Sequence, residues 1–144
     1  MDRLLEQFIA DTSDAILISD RDGIIRFWNS GAERMFGHTA AEALCQSLDL
    51  IIPENLRGRH WEGYRRVMAS GETKYKTGLL SSPGVCKDGT RISLEFSMVV
   101  LHNAAGDMAG CASIMRDVTE RWKREKELKE RLIVCEAKLT ERSA

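Results

Sequence analysis

The spacing of hydrophobic residues along the chain changes from helical to alternating and back again. A first stripe at helical spacing predicts a short amphipathic helix over residues 1–12, and it consists of Leu4, Leu5, Phe8 and Ile9. Alternation then predicts two strands, 15–19 and 24–28, joined by a hairpin turn of sequence Asp-Arg-Asp-Gly over residues 20–23. The chain therefore opens with a helix and a β-hairpin.

Capping residues predict two short helices directly after this hairpin. Asn29 and Ser30 are suited to start a helix, and Gly37 is suited to end it. Thr39 begins a second helix and Glu42 stands at its third position, which is the pattern of a capping box.

A longer helix is predicted around a histidine. Pro53 suits the opening of a helix because it has no N–H to leave unpaired there, and Gly71 suits the end. One stripe of this helix is formed by His60, Tyr64, Val67 and Met68. A histidine on such an inner stripe is either a packed core residue or a ligand that points into a pocket.

The second half of the chain is rich in strand patterns. Segment 73–86 predicts a long strand, interrupted or ended near Pro83 and Gly84, and residues 87–90 predict a turn. A further strand has one buried face, formed by Ile92, Leu94, Phe96, Met98 and Val100. A last strand is predicted over 109–115. Together these elements predict an α+β domain with short helices on one face of an antiparallel sheet.

From Thr119 onward the sequence predicts a charged helix without a breaker. Its apolar residues are spaced four, three and four apart, which is an a/d seam: Leu128, Leu132, Cys135 and Leu139. We expect a parallel coiled coil between two copies of the chain, with Cys135 facing its twin. The alternative is a lone helix folded back on its own sheet.

Composition narrows the classes of function. The chain has 144 residues, 43% of them hydrophobic, which is enough for one domain with a core. A net charge of -1 gives no electrostatic reason to expect nucleic acid or an anionic membrane as a partner. No apolar run approaches the roughly 20 residues of a membrane span, and the acidic N-terminus is not a signal peptide.

Four scattered cysteines without a CxxC pair indicate a reduced, cytoplasmic protein. No nucleophile motif or phosphate-binding loop is found, so we expect no enzymatic activity.

Several motifs together resemble a PAS domain. They are residues 20–25 (DRDGII), 28–29 (WN), 32–37 (AERMFG), 87–90 (KDGT) and 116–121 (RDVTER). The resemblance implies a five-stranded antiparallel sheet and a sensory function. It also implies an N-terminal cap helix over 1–12, a sensory domain over 13–117 and a signalling helix over 118–144. Because no kinase or cyclase module is present, we expect an output domain outside this chain.

The region from Pro53 to Gly89 resembles, without a gap from His60 onward, the FixL-type oxygen-sensing PAS domains. This likeness implies that His60 is the proximal iron ligand of haem b. It implies that Arg66 and Lys74 hold the haem propionates. It also implies that the distal side is lined by Tyr75, Phe96 and Met98.

One position departs from the FixL-type pattern. The family has an arginine that hydrogen-bonds bound O₂, and this chain has Leu80 in its place. Without that donor, CO or NO is the expected ligand in preference to O₂, or the signal is the redox state of the iron. Met98 is a candidate sixth ligand through its thioether.

Two other functions remain open at this point. One is a cofactor-free PAS module for dimerisation and signal relay. The other is a pocket for a small organic acid, whose carboxylate Arg66 and Lys74 would hold. A flavin photoreceptor is not favoured, because Cys45 does not lie in the reactive-cysteine motif of that class. In each case we expect a homodimer through the C-terminal helix, and the N-terminal stripe would cover the sheet of its own or of the partner subunit.

Overall fold

A computed structural model of the protein describes residues 1–73 and 78–143. Within these residues the strands form one five-stranded antiparallel sheet in the order β2-β1-β5-β4-β3. The strands are β1 (Ala15–Asp20), β2 (Ile25–Trp28), β3 (Leu80–Val85), β4 (Arg91–His102) and β5 (Met108–Asp117). The predicted α+β architecture is confirmed.

Helices flank and follow the sheet. They are α1 (Asp2–Asp11), α2 (Ser30–Phe36), α3 (Ala40–Ala43), α4 (Arg57–Ser70) and α5 (Thr119–Ser143). Two 3-10 turns, Leu48–Ile51 and Glu54–Leu56, lead into α4. The core lies between the sheet and the helices from α2 to α4, and its most deeply buried large side chains are Phe36, Leu17 and Ile25.

Local capping explains the short helices, as the sequence predicts. The Asn29 side chain accepts a hydrogen bond from the backbone N–H of Ala32 at 2.9 Å, and Gly37 ends α2 in the left-handed region at φ 82°. Thr39 and Glu42 form the predicted capping box of α3.

Two predicted boundaries are wrong. Strand β3 begins at Leu80 and not at residue 73; it includes Pro83 and ends at Val85, next to Gly84, which agrees with the predicted end near Pro83 and Gly84. Pro83 is tolerated because β3 is an edge strand, where one side makes no ladder hydrogen bonds. The helix predicted from Pro53 starts at Arg57, because a separate 3-10 turn precedes it. The end of α4 at Gly71, with φ 72°, is as predicted.

The C-terminal helix leaves the sheet through a hydrogen-bonded junction. The Thr119 hydroxyl accepts from the backbone N–H of Ser93 on β4 at 2.9 Å, and the Thr119 N–H donates to the Asp117 carboxylate at 3.0 Å. Beyond this junction no residue of α5 is buried. The alternative of a helix folded back on its own sheet is therefore not seen.

Neither terminal helix buries its apolar stripe. No residue of α1 is buried, and Phe8 is 70% exposed. The C-terminal end of α1 is nevertheless held, because the Asn29 amide donates to the Ile9 carbonyl at 2.9 Å. Within the described part of the chain, no helix is long and apolar enough to cross a membrane.

Candidate functional site

A cavity of about 730 Å³ lies between helix α4 and the inner face of the sheet. This volume is within the range of small-molecule and cofactor sites. Its helix side includes His60, Gly63, Tyr64 and Val67, and its sheet side includes Leu80, Leu94, Phe96, Met98, Cys111, Ser113 and Met115. Most of the wall is apolar, and its polar residues include hydroxyl groups, two arginines and a glutamate.

His60 lies half-buried on the helix side of this cavity. Its Nδ1 atom is buried and has no hydrogen-bond partner among the described residues. Burial lowers the pKa of the imidazole, and the charge of Asp49 opposes this only in part. The ring is therefore neutral at neutral pH, which is the form that coordinates metals.

The sheet side of the cavity follows from strand register. Leu80 on β3 pairs with Phe96 on β4, which pairs in turn with Met115 on β5. Two residues further along β4, Met98 pairs with Ser113. Because side chains two apart on a strand share a face, these residues form one continuous wall opposite α4.

Among the described residues, three charged side chains line the cavity: Arg59, Arg66 and Glu72. Arg59 and Arg66 line it from α4, and the Arg66 guanidinium lies 3.4 Å from the Glu62 carboxylate in an exposed pair. Such a pair is weak, so Arg66 is available to another carboxylate. Lys74 and Tyr75, both expected at this site, lie outside the described residues.

A buried polar contact that no sequence pattern indicates lies one helical turn from His60. The Tyr64 hydroxyl lies 2.9 Å from the Ser19 hydroxyl on β1 and donates to the Asp20 carbonyl. Burial raises the pKa of Tyr64 to about 12. The phenol is therefore always protonated at neutral pH. The inward phase of Tyr64 was predictable, but its partners were not.

Trp61 makes a second contact that sequence reasoning missed. Its indole Nε1 donates to the Asp49 carboxylate at 2.7 Å, and its ring lies where a Cβ at Gly23 would be, 2.1 Å from Cη2. The His60 and Trp61 rings are also in edge contact, with centroids 4.8 Å apart. The glycine of the DRDG turn thus serves the close approach of α4 as well as the turn.

Several side chains that line the cavity belong to types that can bind a metal. The described residues contain no group of three or more histidine, cysteine or acidic side chains that is suited to a metal ion. Among the described residues, the cavity is lined by one imidazole, His60, and by the sulfur side chains of Met68, Met98, Met115 and Cys111. An imidazole with one thioether opposite is a ligand pair that suits an iron whose other ligands come from a macrocycle.

Comparison with known proteins decides the family. A family model described as the PAS fold matches residues 10–123. The chain belongs to the PAS family. The match covers the PAS core from the end of α1 to the first residues of α5. It therefore includes the residues that line the cavity and the junction between the sheet and α5.

The curated relatives of this PAS domain are much longer proteins. Sensor protein FixL of Bradyrhizobium diazoefficiens is 26% identical over 126 residues, which are 88% of this chain and 25% of FixL. Oxygen sensor protein DosP of Escherichia coli is 29% identical over 84 residues, which are 58% of this chain and 10% of DosP. A protein of Azorhizobium caulinodans is 32% identical over 113 residues, or 77% of this chain and 15% of that protein. The chain thus spans a quarter or less of each.

Solved structures agree on the fold. A PAS domain from Colwellia psychrerythraea superposes with a TM-score of 0.72 at 20% identity, covering 82% of this chain and 97% of that one. An RNA-binding light-oxygen-voltage receptor superposes with a TM-score of 0.75 at 24% identity, covering 90% of this chain and 36% of that one. At these identities the likeness concerns the fold alone.

Proposed function

We propose that this PAS domain is the sensory module of a longer signalling protein. It binds haem b through His60 and responds to a diatomic gas, CO, NO or O₂, or to the redox state of the iron. The response passes to an output domain through the C-terminal helix.

The observation that carries this proposal is the unpartnered Nδ1 of His60. Buried polar atoms in folded proteins are nearly always hydrogen-bonded, and those that are not usually serve a function or lack an ion. A structural core histidine would be satisfied. His60 instead presents a neutral imidazole beside a large apolar cavity. Coordination would give this ring a strong partner and offset the cost of its burial.

The rest of the cavity fits the same group. Leu80, Phe96 and Met115 offer an apolar wall for a porphyrin, and Arg59 and Arg66, which also line the cavity, match its acidic edge. When bound, haem supplies an iron that takes small ligands and changes redox state. The chain's residues hold the group, exclude water and set the polarity around it. Leu80 provides no hydrogen-bond donor, which favours CO or NO over O₂.

The relatives support the sensory part of the proposal. One is named a sensor protein and another an oxygen sensor protein, and this chain spans only part of each. We infer a cap helix over 1–12, a sensory domain over 13–117 and a signalling helix over 118–144. We further infer a homodimer joined by the seam of α5.

Substitution of His60 tests the proposal. We expect His60→Ala to lose most of its haem while its circular dichroism stays that of the parent, because the ring is on the cavity wall and not in the packed core. Haem per chain, measured from the absorbance of the extracted pyridine complex, gives the result. Added imidazole should restore binding by filling the vacated position.

His38→Ala is the matched control. His38 is also half-buried and its pKa is also lowered by burial, but it packs beside Trp28, away from the cavity. It should keep full haem content. Unchanged haem in His60→Ala would remove His60 from the mechanism. A parent that stays colourless after haem supplementation would leave the cofactor-free module and the organic-acid pocket.

A further inference from the structure

Tyr64 connects the helix that carries His60 to the first strand of the sheet. It lies one helical turn after His60, and the two rings are in contact with centroids 5.8 Å apart. Its hydroxyl meets Ser19 and the Asp20 carbonyl, both at the end of β1. Tyr64 and Ser19 are 9% and 2% exposed, so water does not compete for these bonds.

The direction of the hydrogen bonds follows from their chemistry. A carbonyl oxygen only accepts, so the single phenolic hydrogen of Tyr64 goes to Asp20. The Ser19 hydroxyl must then donate to the Tyr64 oxygen. The hydrogens of both hydroxyl groups are used by this arrangement, so neither group can donate to a ligand in the cavity. The contact therefore ties two elements together.

The other end of this tie is the β1–β2 turn. The Asp20 carbonyl also accepts from the Gly23 N–H at 3.0 Å, and the Asp20 carboxylate accepts from the N–H groups of Asp22 and Ile24 at 2.9 and 3.1 Å. The turn is thus organised around Asp20. Trp61 covers Gly23 from the same helix, so α4 holds the turn at two neighbouring points.

We propose that Tyr64 is a positioning residue that couples α4 to the β1–β2 turn. Through its hydroxyl it fixes the face of α4 that carries His60, and it passes a displacement of that face to the end of β1. The ligand-driven part of this inference rests on the proposed function. Strand β1 pairs with β5 from Ala15 to Asp20, and β5 ends at Asp117, two residues before the C-terminal helix begins at Thr119. The tied end of β1 lies beside Gly110, so a displacement there would reach the output helix along the length of the β1–β5 pair.

Tyr64→Phe tests the tie because it keeps the ring and removes only the hydroxyl. In the protein without ligand, we expect amide hydrogen exchange at Gly23 and Ile24 to rise about three- to tenfold, the effect of losing one buried hydrogen bond. Ser113→Ala is the matched control. It removes another buried hydroxyl of the same cavity without touching α4's contact with the turn, and it should leave these amides unchanged. Unchanged exchange at Gly23 and Ile24 in Tyr64→Phe would overturn the tie.

Haem reconstitution tests the relay. We expect the parent to change its exchange on haem binding both in 57–70 and in 20–24. Tyr64→Phe should bind as much haem and keep the change in 57–70, but lose it in 20–24. A change in 20–24 that persists in the variant would overturn the relay. A parent that takes up no haem would overturn the proposed function and the ligand-driven relay with it, while exchange without ligand still decides the tie.

Discussion

Burial keeps the ionisable side chains deep in the cavity uncharged. It lowers the pKa of His60, raises the pKa of Cys111 to about 11 and raises that of Tyr64 to about 12. Among the described residues, the charged side chains that line the cavity are Arg59, Arg66 and Glu72. The cavity thus combines a mostly apolar wall with two cations and one carboxylate. A mostly apolar wall with two arginines suits the proposed haem, which is a flat apolar group with an acidic edge.

Met98 is the proposed sixth ligand of a bound haem iron. If its thioether ligates iron, haem-loaded parent protein should be six-coordinate and low-spin when reduced, without added gas. Met98→Leu keeps the volume and removes the donor, at a stability cost below about 1.5 kcal/mol. We expect its reduced visible spectrum to become that of a five-coordinate, high-spin form.

Met115→Leu provides the comparison for this test. Met115 is another thioether on the sheet side of the same cavity, and its replacement should leave the reduced spectrum unchanged. Identical reduced spectra of the parent and Met98→Leu would count decisively against ligation by Met98.

At the scale of elements, the sequence predicts helix ends that depend on neighbouring residues, but it does not predict a strand end that depends on a partner strand. The caps at Asn29 and Thr39 and the stop at Gly71 involve residues within one turn of each helix, so the sequence contains the whole interaction. The start of β3 is different. Its first pair is Leu80 with Phe96, and alternation within one segment does not say where a partner strand begins.

In the candidate site, too, some features were predictable from the sequence and others were not. The resemblance to a family placed His60, Leu80, Phe96 and Met98 together, and all four line one cavity. Their role toward haem stays a prediction. The contact of Tyr64 with Ser19 joins residues 45 positions apart, and no periodicity within either segment indicates it. Long-range polar pairs of this kind depend on how helix and sheet meet in space.

The contact of α4 with the β1–β2 turn gives a stability prediction. Gly23 and Gly89 both close hairpin turns at positive φ, 76° and 86°, and each donates to the carbonyl three residues earlier at 3.0 Å. A Cβ at Gly23 would meet Trp61, whereas one at Gly89 meets nothing within 4 Å. We expect Gly89→Ala to cost about 1–2 kcal/mol from backbone strain, and Gly23→Ala a further ~1–3 kcal/mol from overpacking.

Urea unfolding followed by circular dichroism measures both losses. The difference between the two variants isolates the contact with Trp61, because the strain term is shared. Equal losses would mean that α4 yields at no cost and that Trp61 does not hold the turn.

At the scale of the whole molecule, the apolar surface is unevenly covered. The outer face of the sheet exposes Val99 and Ile114, and the stripe of α1 is exposed as well. On α5, Leu128 and Leu132 are 60% and 58% exposed, although they lie on the predicted seam. Exposed apolar surface that is continuous along a helix indicates an association surface. A narrow a/d stripe is matched by a second copy of itself.

The coiled-coil seam gives the last prediction. Full-length chain should sediment as a dimer at tens of micromolar, and a chain cut after Glu120 as a monomer, because the seam begins at Leu128. Leu132→Asp should weaken the dimer more than tenfold by placing a charge at a core position. Val134→Asp is the matched control, since Val134 is an exposed apolar residue of α5 off the seam.

Oxidation reports the register of the two helices. In a parallel pair the Cys135 thiols face each other, so copper phenanthroline should oxidise them to a disulfide and yield a covalent dimer. The experiment uses a Cys45→Ser background, because Cys45 is the other exposed thiol among the described residues. Adding Cys135→Ser should abolish the product. A full-length chain that sediments as a monomer would contradict the coiled coil. A dimer that persists in the chain cut after Glu120 would contradict it as well, because the association surface would then lie outside the seam.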